Sequence, residues 1–343
     1  MVGGRRRLGQ SPLRLAVIAT TGEQFSDFAP YVASVNDAGT VAFQAALPGG
    51  GTGVFMSSGG EITEAAGPGL LAGVTSHPDL NDAGDMSFYG ELSGGVEAVF
   101  LLRDELQTIA DTRGQFTSIG PLGPTMNETG TVAFRADVAE RVSGIFAGDG
   151  AGAVTIADTK GPWSQFHGLP VINRGGTMVF RADRKDGVEG VYAGGEGSIR
   201  TVVETGDVFE ALSLFPSVND SGTVAFAGTM RDGGAGIFTA AEDRIIPISN
   251  PDDSFESYRG ALINDRGDVV FVATPRGGSP GLFAGPDPEA DRILAIGDSL
   301  LGSVVEEFAS NPVSVNAAGQ VAVRAKLTDG RQLILRADLT ATR

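Results

Sequence analysis

Residues 218–226, Val218-Asn219-Asp220-Ser221-Gly222-Thr223-Val224-Ala225-Phe226, are one of seven versions of the same sentence. The other copies are centred on Asn36, Asn81, Asn127, Asn173, Asn264 and Asn316, each with an apolar residue before the Asn and Gly three positions after it. A strand-like run follows, ending in Phe in six copies and in Val323 in the seventh. The Asn residues are spaced 45, 46, 46, 46, 45 and 52 apart, which is the length of one four-stranded propeller blade. Helical repeats fit poorly, because Gly and β-branched residues fill the pattern and its alternation has period two.

The parts of a blade follow from turn chemistry and alternation. Residues just before the Asn, such as Leu169-Pro170-Val171-Ile172, make a short strand A. Asn-x-x-Gly is a tight turn, with the Asn side chain capping backbone N–H groups and Gly supplying φ > 0. Thr177 to Ala182 is strand B, and Gly190-Val191-Tyr192 exemplifies strand C. The strand C aromatic lies nineteen residues after the Asn in six copies (Phe55, Phe100, Phe146, Tyr192, Phe238, Phe283), and Leu335 takes its place in the last. Strand D is seen as Val154-Thr155-Ile156-Ala157. Length variation falls between strand C and the next strand A, where insertions are tolerated.

The seventh copy stops after strand C, and the first is preceded by an orphan strand, Leu13 to Thr20. Residues 13–20 are therefore expected to complete the last blade and close the ring, which removes unpaired sheet edges. The expectation is an all-β, seven-bladed propeller over residues 13–343 as one domain, with residues 1–12 as an N-terminal tail. The repeats resemble the bacterial tandem-repeat proteins named for their N-x-x-G-x-x-A-F signature; Ala-Phe stands intact at Ala42-Phe43, Ala133-Phe134 and Ala225-Phe226. That resemblance implies a secreted or surface-attached protein and carries no activity with it.

Composition narrows the function. A formal charge of −17 disfavours nucleic acid and anionic membranes as partners. No cysteine and two histidines exclude thiolate chemistry and a multi-His or Cys-ligated metal centre, and no nucleotide-binding loop or other cofactor motif occurs. Arg5-Arg6-Arg7 resembles the start of a signal peptide, but the apolar stretch after it is short and broken by Arg14. A secreted or periplasmic monomer without a membrane span is expected.

Where seven copies agree, the residue is scaffold; where one departs, it is informative. The D-to-A segments share an apolar pair three apart, including Trp163/Phe166 and Phe255/Tyr258, so Trp163 is first a larger core plug and only second a stacking platform. The residue after the pair is small in five copies but His167 and Arg259 in two, on segments expected to be loops leaning over the central channel. His77 starts an inner strand near the axis. Arg135 and Arg181 follow the strand B Phe, and Asp137 and Asp183 stand two residues on. Either they form ion pairs within or between blades, or their guanidinium groups reach the mouth and clamp a carboxylate. The leading expectation is a non-catalytic binding module for a glycan or protein ligand at this mouth. The rival is a lyase-like enzyme on an anionic polysaccharide. His167 or Tyr258 would abstract the proton α to a uronate carboxylate, which Arg259 would neutralise.

Overall fold

The computed structural model describes residues 13–242, 244–249 and 254–339; residues 1–12, expected to form a tail, lie outside this set. Seven antiparallel sheets follow one another along the chain, and each is one blade. In blade 4, strands A to D are Trp163–Ile172, Met178–Arg184, Glu189–Gly195 and Ser198–Glu204, hydrogen-bonded in that order. In blade 7 the outermost strand is Arg14–Thr20, paired with Gln332–Asp338. The ring thus closes through its N-terminal strand. Apart from two short 3-10 turns, the described secondary structure is all strand, and no described helix is long and apolar enough to cross a membrane.

The repeat Asn explains itself twice over. Inside its own turn, the Oδ1 atom of Asn219 accepts from the Thr223 amide at 3.0 Å, and Gly222 takes φ +79°. The same side chain also reaches out, its Nδ2 donating to the carbonyl of Asn264 in the next blade at 3.2 Å. Equivalent bonds cross the seams from Asn36, Asn173 and Asn264, and Asn316 donates to Asn36 across the closure at 2.7 Å. A buried amide satisfied on both sides binds neighbouring blades and fixes their register.

The recurrent Phe residues are the apolar half of the same design. Phe226 and Phe238 stack with ring centres 5.6 Å apart, and Phe209 meets Phe238 edge-on at 5.0 Å. The trio packs against Val179 and Val191 of blade 4. Phe25, Phe43 and Phe55 form the same trio in blade 1. Each fully buried ring contributes about 2–3 kcal/mol of hydrophobic stabilisation. In blade 7 the three positions change together, to Val305, Val323 and Leu335, which share one aliphatic cluster.

One sequence expectation is corrected here. In blades 4 and 6 the segments carrying the apolar pairs are not loops but the first half of strand A, hydrogen-bonded to the far end of strand B. Trp163 and Phe166 stand three apart yet serve the same core because the register slips between Trp163 and Gln165. Such a bulge places an extra residue between inward-facing side chains.

Candidate functional site

The two ends of the central channel differ in chemistry. At the A-to-B turn end, the carboxylate after the repeat Asn reaches back to the preceding blade. Asp82 accepts from the Asp37 amide, Glu128 from Asp82, Asp220 from Arg174, Asp265 from Asp220 and Asp37 from Ala317, at 2.7–3.1 Å. These carboxylates tie blade to blade. Burial raises the carboxyls of Glu128 and Asp265, with their acidic neighbours adding to it. Arg174 sits among them, 3.1 Å from Asp220 and 3.8 Å from Asp82.

The opposite end opens into a cavity of about 440 Å³ to which all seven blades contribute. Its throat is a ring set by position. The residue four before each repeat Asn is Val32, His77, Gly123, Leu169, Phe215, Gly260 or Pro312, and all but Gly123 line the cavity directly. Gly123 is filled by its neighbour, since a Cβ there would lie 2.5 Å from His77 Nε2. Burial pushes the His77 imidazole down to about 4, so it is neutral at physiological pH. From the throat the cavity runs outward between blades 6 and 7, past Arg259, Val272 and Thr274 on one side and Glu307 and Phe308 on the other.

The sequence candidates separate in space. His77 and Arg259 share the cavity, whereas His167 does not line it. His167 Nε2 lies 2.8 Å from Asp183 Oδ2, on the outer part of strand A. Burial opposes the charge on Asp183, but hydrogen bonds from Arg181 and His167 outweigh it and hold that carboxyl below its usual range. Arg181 is buried and bonded to both Asp183 and Glu189 at 2.6 Å, the ion pair within the sheet that the sequence allowed. Arg135 instead donates to the Gly168 carbonyl of the next blade at 2.9 Å, while Asp137 is held by Ser118 and Ser143. Trp163 packs edge-on to Phe180 and Tyr192 as a core plug. Tyr258 packs on Phe255 and Phe271, its hydroxyl 2.7 Å from Ser249 Oγ. The throat residues Val32, Leu169, Phe215 and Pro312 were missed by the sequence reading, although their fixed offset from the Asn marks them.

Comparison with known proteins agrees with the architecture. The model of a family of unknown function (DUF7453) matches residues 123–332. No curated protein matches the chain in sequence. Among solved structures, the chain is similar to a puromycin-hydrolyzing peptidase of Mycobacterium tuberculosis, with 14% identity and a TM-score of 0.59 over 91% of this chain and 52% of that one. It is also similar to an oligogalacturonate lyase solved in complex with manganese, with 10% identity and a TM-score of 0.59 over 96% of this chain and 99% of that one. A prolyl endopeptidase aligns at 11% identity and a TM-score of 0.55, over 90% of this chain and 50% of its own. The chain thus spans about half the length of either peptidase. At such identities the likeness is one of fold, which hosts many functions.

Proposed function

We propose that this chain, which belongs to the family of unknown function DUF7453, is a non-catalytic binding propeller whose ligand enters the mouth cavity. The supporting observation is the cavity itself: about 440 Å³, open, and walled by all seven blades, in the size range of small-ligand sites. A space of that size accepts a small molecule or the end group of a glycan or protein ligand. The repeat resemblance supports action outside the cytoplasm, which cell fractionation would test.

The lyase-like alternative is weakened by position. Its proposed base His167 lies outside the cavity that holds Arg259, and Tyr258, half-buried against the blade core, does not line that cavity either. The test is a thermal-shift screen of glycans, peptides and small organic acids against the wild type and Ala309→Trp, which puts an indole into the cavity. Ligands should stabilise the wild type and not the blocked variant. Release of unsaturated oligouronides from polygalacturonate, abolished by His167→Ala, would overturn the reading in favour of the enzyme.

A further inference from the structure

The walls of the mouth cavity have an unusual balance for a protein of this charge. Tyr31, Leu122, Leu169, Phe215 and Phe308 give it a largely apolar surface. A sugar ring in such a space would leave most of its hydroxyls without partners, at about 1–3 kcal/mol for each polar group buried unpaired. An apolar frame loses nothing there and gains about 25 cal/mol for each Å² removed from water.

The charges point the same way. Arg259 is exposed on the cavity wall, and its guanidinium makes no hydrogen bond or ion pair among the described residues. Glu307, the acid that faces it across the cavity, is already committed to Arg324, whose Nη2 lies 2.6 Å from the carboxylate. Arg324 is buried, and its Nε and Nη1 have no partner of their own. His77 is neutral and adds no charge. Arg259 and Glu307 are the charged side chains on the cavity wall, and because Arg324 behind the wall offsets Glu307, Arg259 stands there as an unopposed cation in a molecule whose formal charge is −17. Low-dielectric walls concentrate the field of that cation into the opening.

We propose that the mouth takes a compact organic anion, a carboxylate or sulfonate on an aromatic or aliphatic frame, with Arg259 as its anchor and the throat residues as the seat of its apolar body. The inference rests on the reading of the cavity as a ligand site and adds the chemical class. A planar guanidinium holds either anion through paired N–H donors. This class differs from the glycan or protein ligand expected from the sequence, in which Arg259 was legible and the apolar throat was not.

Two fluorescent probes separate the parts of the proposal. 1-Anilinonaphthalene-8-sulfonate carries the apolar frame and the anion; N-phenyl-1-naphthylamine carries the frame alone. The folded wild type should bind the sulfonate at least about tenfold more tightly, and salt should narrow that preference. Arg259→Gln should abolish the preference and leave the uncharged probe unchanged, while Arg259→Lys should restore most of it. Arg259 is exposed, so neither substitution disturbs the core. Equal affinity of the wild type for both probes, or a preference that survives Arg259→Gln, overturns the anion assignment while the cavity remains a ligand site. If neither probe binds, or both bind Ala309→Trp as well as the wild type, the ligand-site reading itself falls.

Discussion

Asp79 holds a position that other blades give to a hydroxyl. Thr125 Oγ1 donates to the Pro170 carbonyl at 3.0 Å and accepts from the Ile172 amide at 3.2 Å, both in the next blade. Ser217 makes the same pair of bonds with Ala261 and Ile263. Asp79 accepts the corresponding amide, Met126, at 2.7 Å, but a carboxylate has no proton for the Pro124 carbonyl that completes the pattern. Burial raises its carboxyl to about 7; the Met126 and Leu80 amides pull it down and the Glu128 charge pushes it up. His77, two residues away, stays neutral. The unfolded chain ionises Asp79 near its ordinary value of 3.8. The proton bound by the folded state therefore stabilises fully below about pH 4, and that stabilisation is lost as pH rises through about 7. In urea titrations the wild type should weaken from about pH 5 to 8, and Asp79→Ser should weaken less and exceed it by more than about 1 kcal/mol at pH 8. Parallel pH dependence in the two proteins would remove Asp79 as the cause. Nothing in the sequence singled out Asp79, because its partner is 47 residues away. The repeat Asn was half legible for the same reason: the bond to the amide four residues on is local, and the bond to the next blade is not.

At the scale of the element, strand A is where sequence and structure part. Strands B and C alternate with period two and were legible from that pattern. Strand A is broken by two register slips in blade 4, one after Trp163 and one between His167 and Val171, so its apolar residues fall three apart and read as a loop. That misreading moved His167 and Arg259 onto loops and hid the throat residues, Leu169 and Gly260, which lie within the second slip. The slip itself turns on glycine. Gly168 has φ +59° and Gly260 has φ +67°, a region that costs an L-residue about 1–2 kcal/mol. The two differ in surroundings: a Cβ on Gly168 would overlap the Leu214 carbonyl oxygen, whereas on Gly260 its nearest neighbour is Phe215 Cβ at 3.7 Å. Gly260→Ala should therefore cost only the backbone term. Gly168→Ala should cost that term plus a shift of the blade 4–5 seam, and so lower the melting temperature by clearly more. Equal losses in the two variants would mean that the contact with Leu214 relaxes freely and does not hold the seam.

For the whole molecule, the decisive feature is how the ends meet. Arg14–Thr20 pairs with Gln332–Asp338 as the outer strand of blade 7, and Ala19 and Ile18 pack into the cluster that holds Phe25, Phe43 and Ile334. Further in, Ser314 donates to the Ala33 carbonyl and Ala317 to Asp37, so the first and last blades are joined by bonds of the kind found between blades 5 and 6. Gln332 adds a contact of its own, donating to Asp27 at 2.8 Å and accepting from the Phe28 amide at 3.2 Å. An open stack of repeats unfolds from its ends, because a terminal unit has one interface to lose. In a closed ring every blade has two, and no blade can leave without breaking both. We propose on this basis that residues 13–343 unfold as one domain. Calorimetry of the full chain should show a single transition whose van't Hoff and calorimetric enthalpies agree. Deleting Met1 to Thr21 removes the closing strand and exposes the edge of Gln332–Asp338. The inner bonds between blades 7 and 1 survive, but they then stand at a frayed end. The truncated chain should melt earlier and in more than one step, and should associate through its new edge at higher concentration. Adding a peptide of residues 13–21 should recover part of the lost stability, which tells a missing strand from a general loss of chain. A truncated protein that melts as the full chain does would mean that the inner seam alone closes the ring and that the N-terminal strand merely covers it.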